Sequence, residues 1–228
     1  MKHSNSFILG AMCFAMISLN GMSSCAKSAN DQQQASHSLE IWETYEAKDL
    51  ASVMYAINES TMEMEHPLYE ILSGMDYAYG PVVGKAFYRD TTAINAILSA
   101  EAVKALLPND LRLTWFAYPE SERSGLYRLI ALKANDGQAA MHGDLVKEAK
   151  AEIEPQCGEI FASVLFNEQG TELLANLTEA NIGKDIAMVV EGKVYFYATV
   201  QAKNAAGTLM FPLMMDEEEA EAFVQKIK

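Results

Sequence analysis

The chain has few cysteines, few histidines, few basic side chains and no long apolar run, and each shortage removes a class of function. Its longest apolar stretch near the start, Phe7 to Leu19, is well short of the ~20 residues that cross a bilayer as a helix. No later apolar run is long enough to cross a membrane as a helix. Only 17 basic residues stand against 31 acidic ones, for a net charge of −14. Such a chain repels phosphate backbones and anionic headgroups, so nucleic acid is not a partner. The four histidines, His3, His37, His66 and His142, do not fall at a metal-ligand spacing, and no metal is expected. Gly80-Pro81-Val82-Val83-Gly84 lacks the Gly-Lys-Ser/Thr end of a phosphate loop. The acidic run Asp216 to Glu221 lacks the alternating oxygen ligands and central glycine of a calcium loop, and acids in a first helical turn are favoured by its dipole. His142 and Asp144 have no nucleophile or third partner beside them and read as a turn with a cap. The expectation is a protein with no cofactor and no catalytic residue, hence not an enzyme. An apolar fraction of 50% nonetheless supports a folded core.

The three cysteines have three different settings. Cys13 lies inside the apolar stretch that follows Lys2 and His3, which has the length and flanks of a signal-peptide core. The small residues Gly21-Met22-Ser23-Ser24 then lead to Cys25, a pattern that resembles a bacterial lipobox, with Met22 where leucine is commoner. The resemblance implies cleavage before Cys25 and a lipid on its thiol. Removing residues 1–24 takes Lys2 from the 17 basic residues and none of the 31 acidic ones, leaving a net charge of −15. Membrane attachment would then rest on acyl chains rather than on charge. Cys157 is left without a pairing partner and reads as a buried small side chain.

The expected organisation is a signal peptide over 1–24, a flexible polar linker over 25–38, a base-like α+β region over 39–155 and a second subdomain over 156–228. Past Cys25, the thirteen residues 26–38 form a coil that spans about 20 Å and stretches to roughly 45 Å, which keeps the folded part near its membrane. Alternation predicts a strand over 39–46 and apolar spacing predicts a helix over 48–59, with a short helical turn near 66–72. Asp90 is placed to cap a helix that runs on past Ser99 to Pro108. Residues 111–118 and 126–134 read as a hairpin, and Asp144 as the cap of a helix through Lys150. A strand over 160–166 is followed by Asn167 as the cap of a helix whose apolar face is Leu173, Leu174, Leu177 and Ile182, stopped by Gly183. Strands over 185–190 and 194–200 flank a Glu-Gly-Lys turn, a strand covers 209–213, and Asp216 caps a final helix. The order gives an α+β fold, mainly antiparallel, with helices on one face of the sheet.

Two groups of side chains are candidates for binding. Leu209, Met210, Phe211, Met214 and Met215 make a Met- and Phe-rich cluster suited to partly unfolded polypeptide, because methionine is flexible and polarizable. Alternation assigns most of the cluster to a core and leaves Met210 and Phe211 open. In a regular strand Tyr195 and Tyr197 share a face opposite Val194 and Phe196; that face is either an exposed patch or lies under a helix.

The run FNEQGTELLANLTEANIGKDIAMVVEGKVY (166–195) resembles the head of the first periplasmic domain of SecD. The closing DEEEAEAF (216–223) is similar to that family's acidic last helix. LEIWETYE, HPLYEIL, GPVVGKAFYRDT, AVKALLPNDLRLTW and LYRLIALKANDGQAAMHGD resemble, in order, the preceding part of fused SecDF proteins. The resemblance implies a SecD head-like fold with ferredoxin-like elements, and Sec translocon components or exported polypeptides as partners. The family's proton-coupled work depends on membrane helices for which this sequence has no segment, so any role implied is passive. Two expectations follow: an accessory in protein translocation, or an interaction module of another envelope complex. Oligomeric state is not specified by the sequence.

Overall fold

The computed structural model describes residues 39–64, 67–74, 80–156 and 158–227. Cys13, Cys25, Cys157, His37 and His66, and with them the signal, lipid and linker expectations, lie outside the described residues. The strands are β1 (Leu39–Thr44), β2 (Val82–Phe87), β3 (Leu111–Pro119), β4 (Leu126–Lys133), β5 (Met141–His142), β6 (Val146–Ile153), β7 (Ile160–Phe166), β8 (Asp185–Val190), β9 (Lys193–Thr199) and β10 (Thr208–Leu213). The helices are α1 (Ala51–Thr61), α2 (Leu68–Ile71), α3 (Thr91–Ser99), α4 (Glu101–Lys104), α5 (Glu168–Ala180) and α6 (Glu217–Val224). The fold is α+β, and its strand pairs are antiparallel except β3–β9.

Seven strands form one sheet in the order β2-β4-β3-β9-β8-β1-β5, and a further pairing of β1 with β4 closes β1, β4, β3, β9 and β8 into a ring. Period-2 alternation gives every ring strand an inner and an outer face. The inner residues Trp42, Phe116, Ile130, Leu132, Ala187, Val189 and Val194 fill the ring. One polar guest joins them: the Arg128 guanidinium lies 4.0 Å from the Phe116 ring centroid and donates to Tyr197 Oη at 3.2 Å. Outside β2, β3 and β4 a second core gathers Met54, Ile57, Leu68, Leu72, Ile94 and Val103 from α1–α4 against Leu129 and Ala131. Tyr45 seals its rim, donating to Asp110 Oδ1 at 2.6 Å; burial, with that acid's help, raises the phenol to about 12. Helices thus cover the ring in two groups.

The third core lies between the outer face of β1 and β8, helices α5 and α6, and the small sheet β10-β7-β6. Leu39, Ile41, Ile186, Met188 and Val190 meet Val164, Phe166, Leu174, Phe211 and Phe223 there. Every residue of β8 is buried, because one face lines the ring and the other this core. Strands from both sides of residue 155 share the large sheet.

The local chemistry explains most boundaries. Asn167 Oδ1 accepts the Gly170 N–H at 2.8 Å, a cap that stabilises α5 by about 1 kcal/mol. Gly183, at φ 81°, ends the segment after α5. Asp216 and Glu219 form a reciprocal capping box on α6. Several expectations are corrected. Asp90 has a helical backbone and makes no side-chain cap bond, and its carboxylate lies 3.7 Å from Arg89 Nε instead. The helix expected to run from 91 to 107 breaks at Ala100, whose ψ is 138°, separating α3 from α4. Leu173 and Ile182 are 37% and 53% exposed, so of the four residues expected on that apolar face only Leu174 and Leu177 are buried. The helix expected through Lys150 is strand β6. Residues 144–150 favour a helix locally, but pairing with β7 and the packing of Val146, Ala149 and Ala151 against the third core override that preference.

Candidate functional site

Strand β10 is an edge of the small sheet. Its pairing sets Leu209, Phe211 and Leu213 opposite Val164, Ala162 and Ile160, toward the core. Met210 and Pro212 oppose Ser163 and Phe161 on the other face. Phe211 is 1% exposed and stacks on Phe196, with ring centroids 6.3 Å apart, so it is a core residue and no part of a surface site. Met210 is 53% exposed. Around it the outer face carries Phe161 and Leu165, each partly exposed, bordered on β6 by Glu148, Lys150 and Glu152. The result is an apolar stripe with a charged border.

Over the edge of β10, Met210 also borders a crevice of about 290 Å³. Leu174 of α5, Ile186 and Met188 of β8, Phe196 of β9 and Leu209 line it. Gln201, Ala202 and Asn204, from the loop that follows β9, form part of its wall, and Asn204 ties that loop down. The Asn204 N–H donates to Thr178 Oγ1 at 2.8 Å, and Asn204 Nδ2 to the Thr208 carbonyl at 2.8 Å. Gly207, at φ 69°, is where the loop crosses α5; a Cβ there would overlap the Thr171 side chain. The crevice is therefore a preformed apolar recess with a flexible thioether at its mouth.

The two tyrosines do not share a face. Met188 opposes Phe196 and Val189 opposes Val194, so Tyr195 is an extra residue in a bulge. Past the bulge the alternation is reset, and Tyr197 lies on the same side as Val194, inside the ring, edge-on to Phe116 at 6.0 Å. Tyr195 packs instead on Phe223 at 4.5 Å and meets Tyr118 edge-to-face at 5.6 Å. Burial raises the phenol of Tyr118 to about 12, and burial with Glu191 raises that of Tyr195. Among the four expected binding residues, then, the structure leaves Met210 on the surface and brings it together with Phe161, Leu165 and the crevice. The sequence signal for Phe161 and Leu165 is a strand apolar on both faces, IFASVLF. No cluster of three or more His, Cys, Asp or Glu side chains arranged to hold a metal occurs among the described residues.

Comparison with known proteins gives the following likenesses. Residues 119–227 match the family model described as SecDF, P1 head subdomain. The protein translocase subunit SecD of Rhodothermus marinus is 26% identical over 203 residues, covering 87% of this chain and 31% of that protein. SecD of Acidaminococcus fermentans is 30% identical over 97 residues, covering 42% of this chain and 23% of that protein. A solved structure of SecDF, described as a membrane component that enhances protein export, covers 83% of this chain and 92% of its own, with 15% identity and a TM-score of 0.39. The chain spans about a third or less of the length of these two SecD relatives. In sequence order the chain resembles the first periplasmic domain of SecD, and its residues 119–227 match the model of that domain's head subdomain.

Proposed function

We propose that this protein is an extracytoplasmic accessory of protein translocation, held at a membrane by a lipid on Cys25, which binds polypeptide passively at the outer face of its small sheet. The observation that carries the reading is the collinear likeness to translocase subunit SecD over 87% of the chain. Physical chemistry supports the binding surface. Phe161, Leu165 and Met210 offer apolar area on a rigid sheet, and the recess beside them has room for one or two side chains of an extended chain. Among the described residues no helix is long and apolar enough to cross a membrane, which is why a lipid is assigned the tethering role.

Two experiments test this. Metabolic labelling with a palmitate analogue should mark the protein and leave Cys25→Ala unmarked and released from membranes; a labelled Cys25→Ala protein contradicts the anchor. Fluorescence anisotropy with a reduced, unfolded polypeptide should show binding that Met210→Glu weakens about tenfold, since a charge is then set into the apolar contact. Equal binding by the two proteins contradicts the surface assignment.

A further inference from the structure

A larger cleft, of about 700 Å³, opens between α3, the start of β3 and the β8–β9 turn. Its floor is apolar: Leu98, Leu107, Leu113 and the indole of Trp115, which donates to Asn95 Oδ1 at 2.9 Å and is thereby fixed in direction. Its rim is basic, with Lys104, Arg112 and Lys193 against one acid, Glu191. That acid is drawn away by Lys226, at 3.1 Å. Lys104 is held by Glu101, but this is an exposed pair of little strength. Neither Arg112 nor Lys193 has a carboxylate within ion-pair distance among the described residues. One guanidinium nitrogen of Arg112 donates to the carbonyls of Asn109 and Leu111, at 3.2 and 3.0 Å, which anchors the fork and leaves its other donors for a ligand.

We propose that this cleft binds a peptide carboxylate flanked by an apolar side chain, with Arg112 and Lys193 taking the charge and the Trp115 floor taking the side chain. The charge of the ligand follows from the setting. Two unpaired cations in one recess favour an anion, while a chain of net charge −14 disfavours ligands carrying several negative charges that extend beyond a Debye length of ~8 Å. A single carboxylate beside an apolar group satisfies both, and a phosphate-rich ligand does not. The site is separate from the Met210 surface and does not rest on the polypeptide-holding role argued above.

The test is an NMR titration of the nitrogen-15-labelled full chain, following the Trp115 indole N–H and the amides of Arg112 and Lys193. The probes are N-acetyl-leucyl-leucine as the free acid, the same dipeptide as its C-terminal amide, N-acetyl-leucyl-aspartic acid α-amide, whose one charge is the side-chain carboxylate, and inorganic phosphate. The free acid is expected to shift these signals saturably and to bind at least ~5-fold more tightly than the amide, a ratio set by charge-assisted hydrogen bonding in an open site. Arg112→Gln should remove that preference while leaving the buried Trp42 indole signal in place. A tighter aspartyl probe identifies a side-chain carboxylate as the source, and a tighter free acid identifies a chain terminus. Equal binding of acid and amide, no movement of Trp115, or phosphate binding as tightly as the free acid would overturn the proposal.

Discussion

Met210 and Phe211 are neighbours in one strand, yet the structure gives them opposite jobs, and truncation of each separates those jobs. Phe211 is 1% exposed, lies in the third core and stacks on Phe196. Phe211→Ala removes a buried aromatic ring and leaves a cavity, at a cost of about 3–5 kcal/mol. For a domain of this size each kilocalorie lowers the melting temperature by about 2–4 °C, so a loss of roughly 6–20 °C is expected. Met210 is 53% exposed, and Met210→Ala should change stability by no more than about 0.5 kcal/mol, or roughly 2 °C. Urea unfolding followed by circular dichroism gives both values, and an unchanged slope with denaturant shows that the unfolded states are comparable. Polypeptide binding should follow the reverse order per unit of damage: weakened by the Met210 change with the fold intact. A Met210→Ala protein as unstable as Phe211→Ala would mean that the strand is set one residue out of register, and the surface assignment would fail with it.

Two further perturbations report on the other cores. A Cβ on Gly84 would lie 2.7–2.9 Å from three side-chain atoms of Leu72, so Gly84→Ala should cost about 1–3 kcal/mol by overpacking. Combined with Leu72→Ala it should cost clearly less than the sum of the single changes, and strict additivity in a thermal double-mutant cycle would refute the contact. The phenols of Tyr45 and Tyr118 are raised from 10.0 to about 12, chiefly by burial. The native state therefore keeps both protons where the unfolded chain loses them. Their stabilising contribution is complete below pH 10 and is lost as pH climbs toward 12. Denaturant midpoints across that window should fall, and Tyr118→Phe should flatten the fall; a slope unmoved by both Tyr45→Phe and Tyr118→Phe contradicts the assignment.

Where local signals and tertiary packing agree, the sequence is legible. Asn167 and Asp216 read as caps and are caps, Gly183 reads as a stop and is one, and the Glu-Gly-Lys turn joins β8 to β9. The misreadings fall where long-range pairing decides. Residues 144–150 carry helix-favouring side chains, but β7 recruits the segment as an edge strand. The bulge at Tyr195 depends on how β9 is matched against β8, and a single extra residue there sends Tyr197 into the ring. The closing of the ring by β1 and β4 likewise has no local signature. Of the two residues left open on the last strand, Met210 is exposed and Phe211 buried, a difference that could be read only once the pairing of Phe211 with Ala162 was known.

In the proposed role the Met210 face meets translocating polypeptide or the translocon. The most direct measurement is photo-crosslinking in living cells from a probe at position 210 of the lipid-anchored protein, with position 55 as control, since Tyr55 is 65% exposed on α1. Crosslinks are expected from 210 to Sec components or to a range of exported precursors, and none of these from 55. A single unrelated envelope protein captured at 210, or nothing above background, would contradict that role.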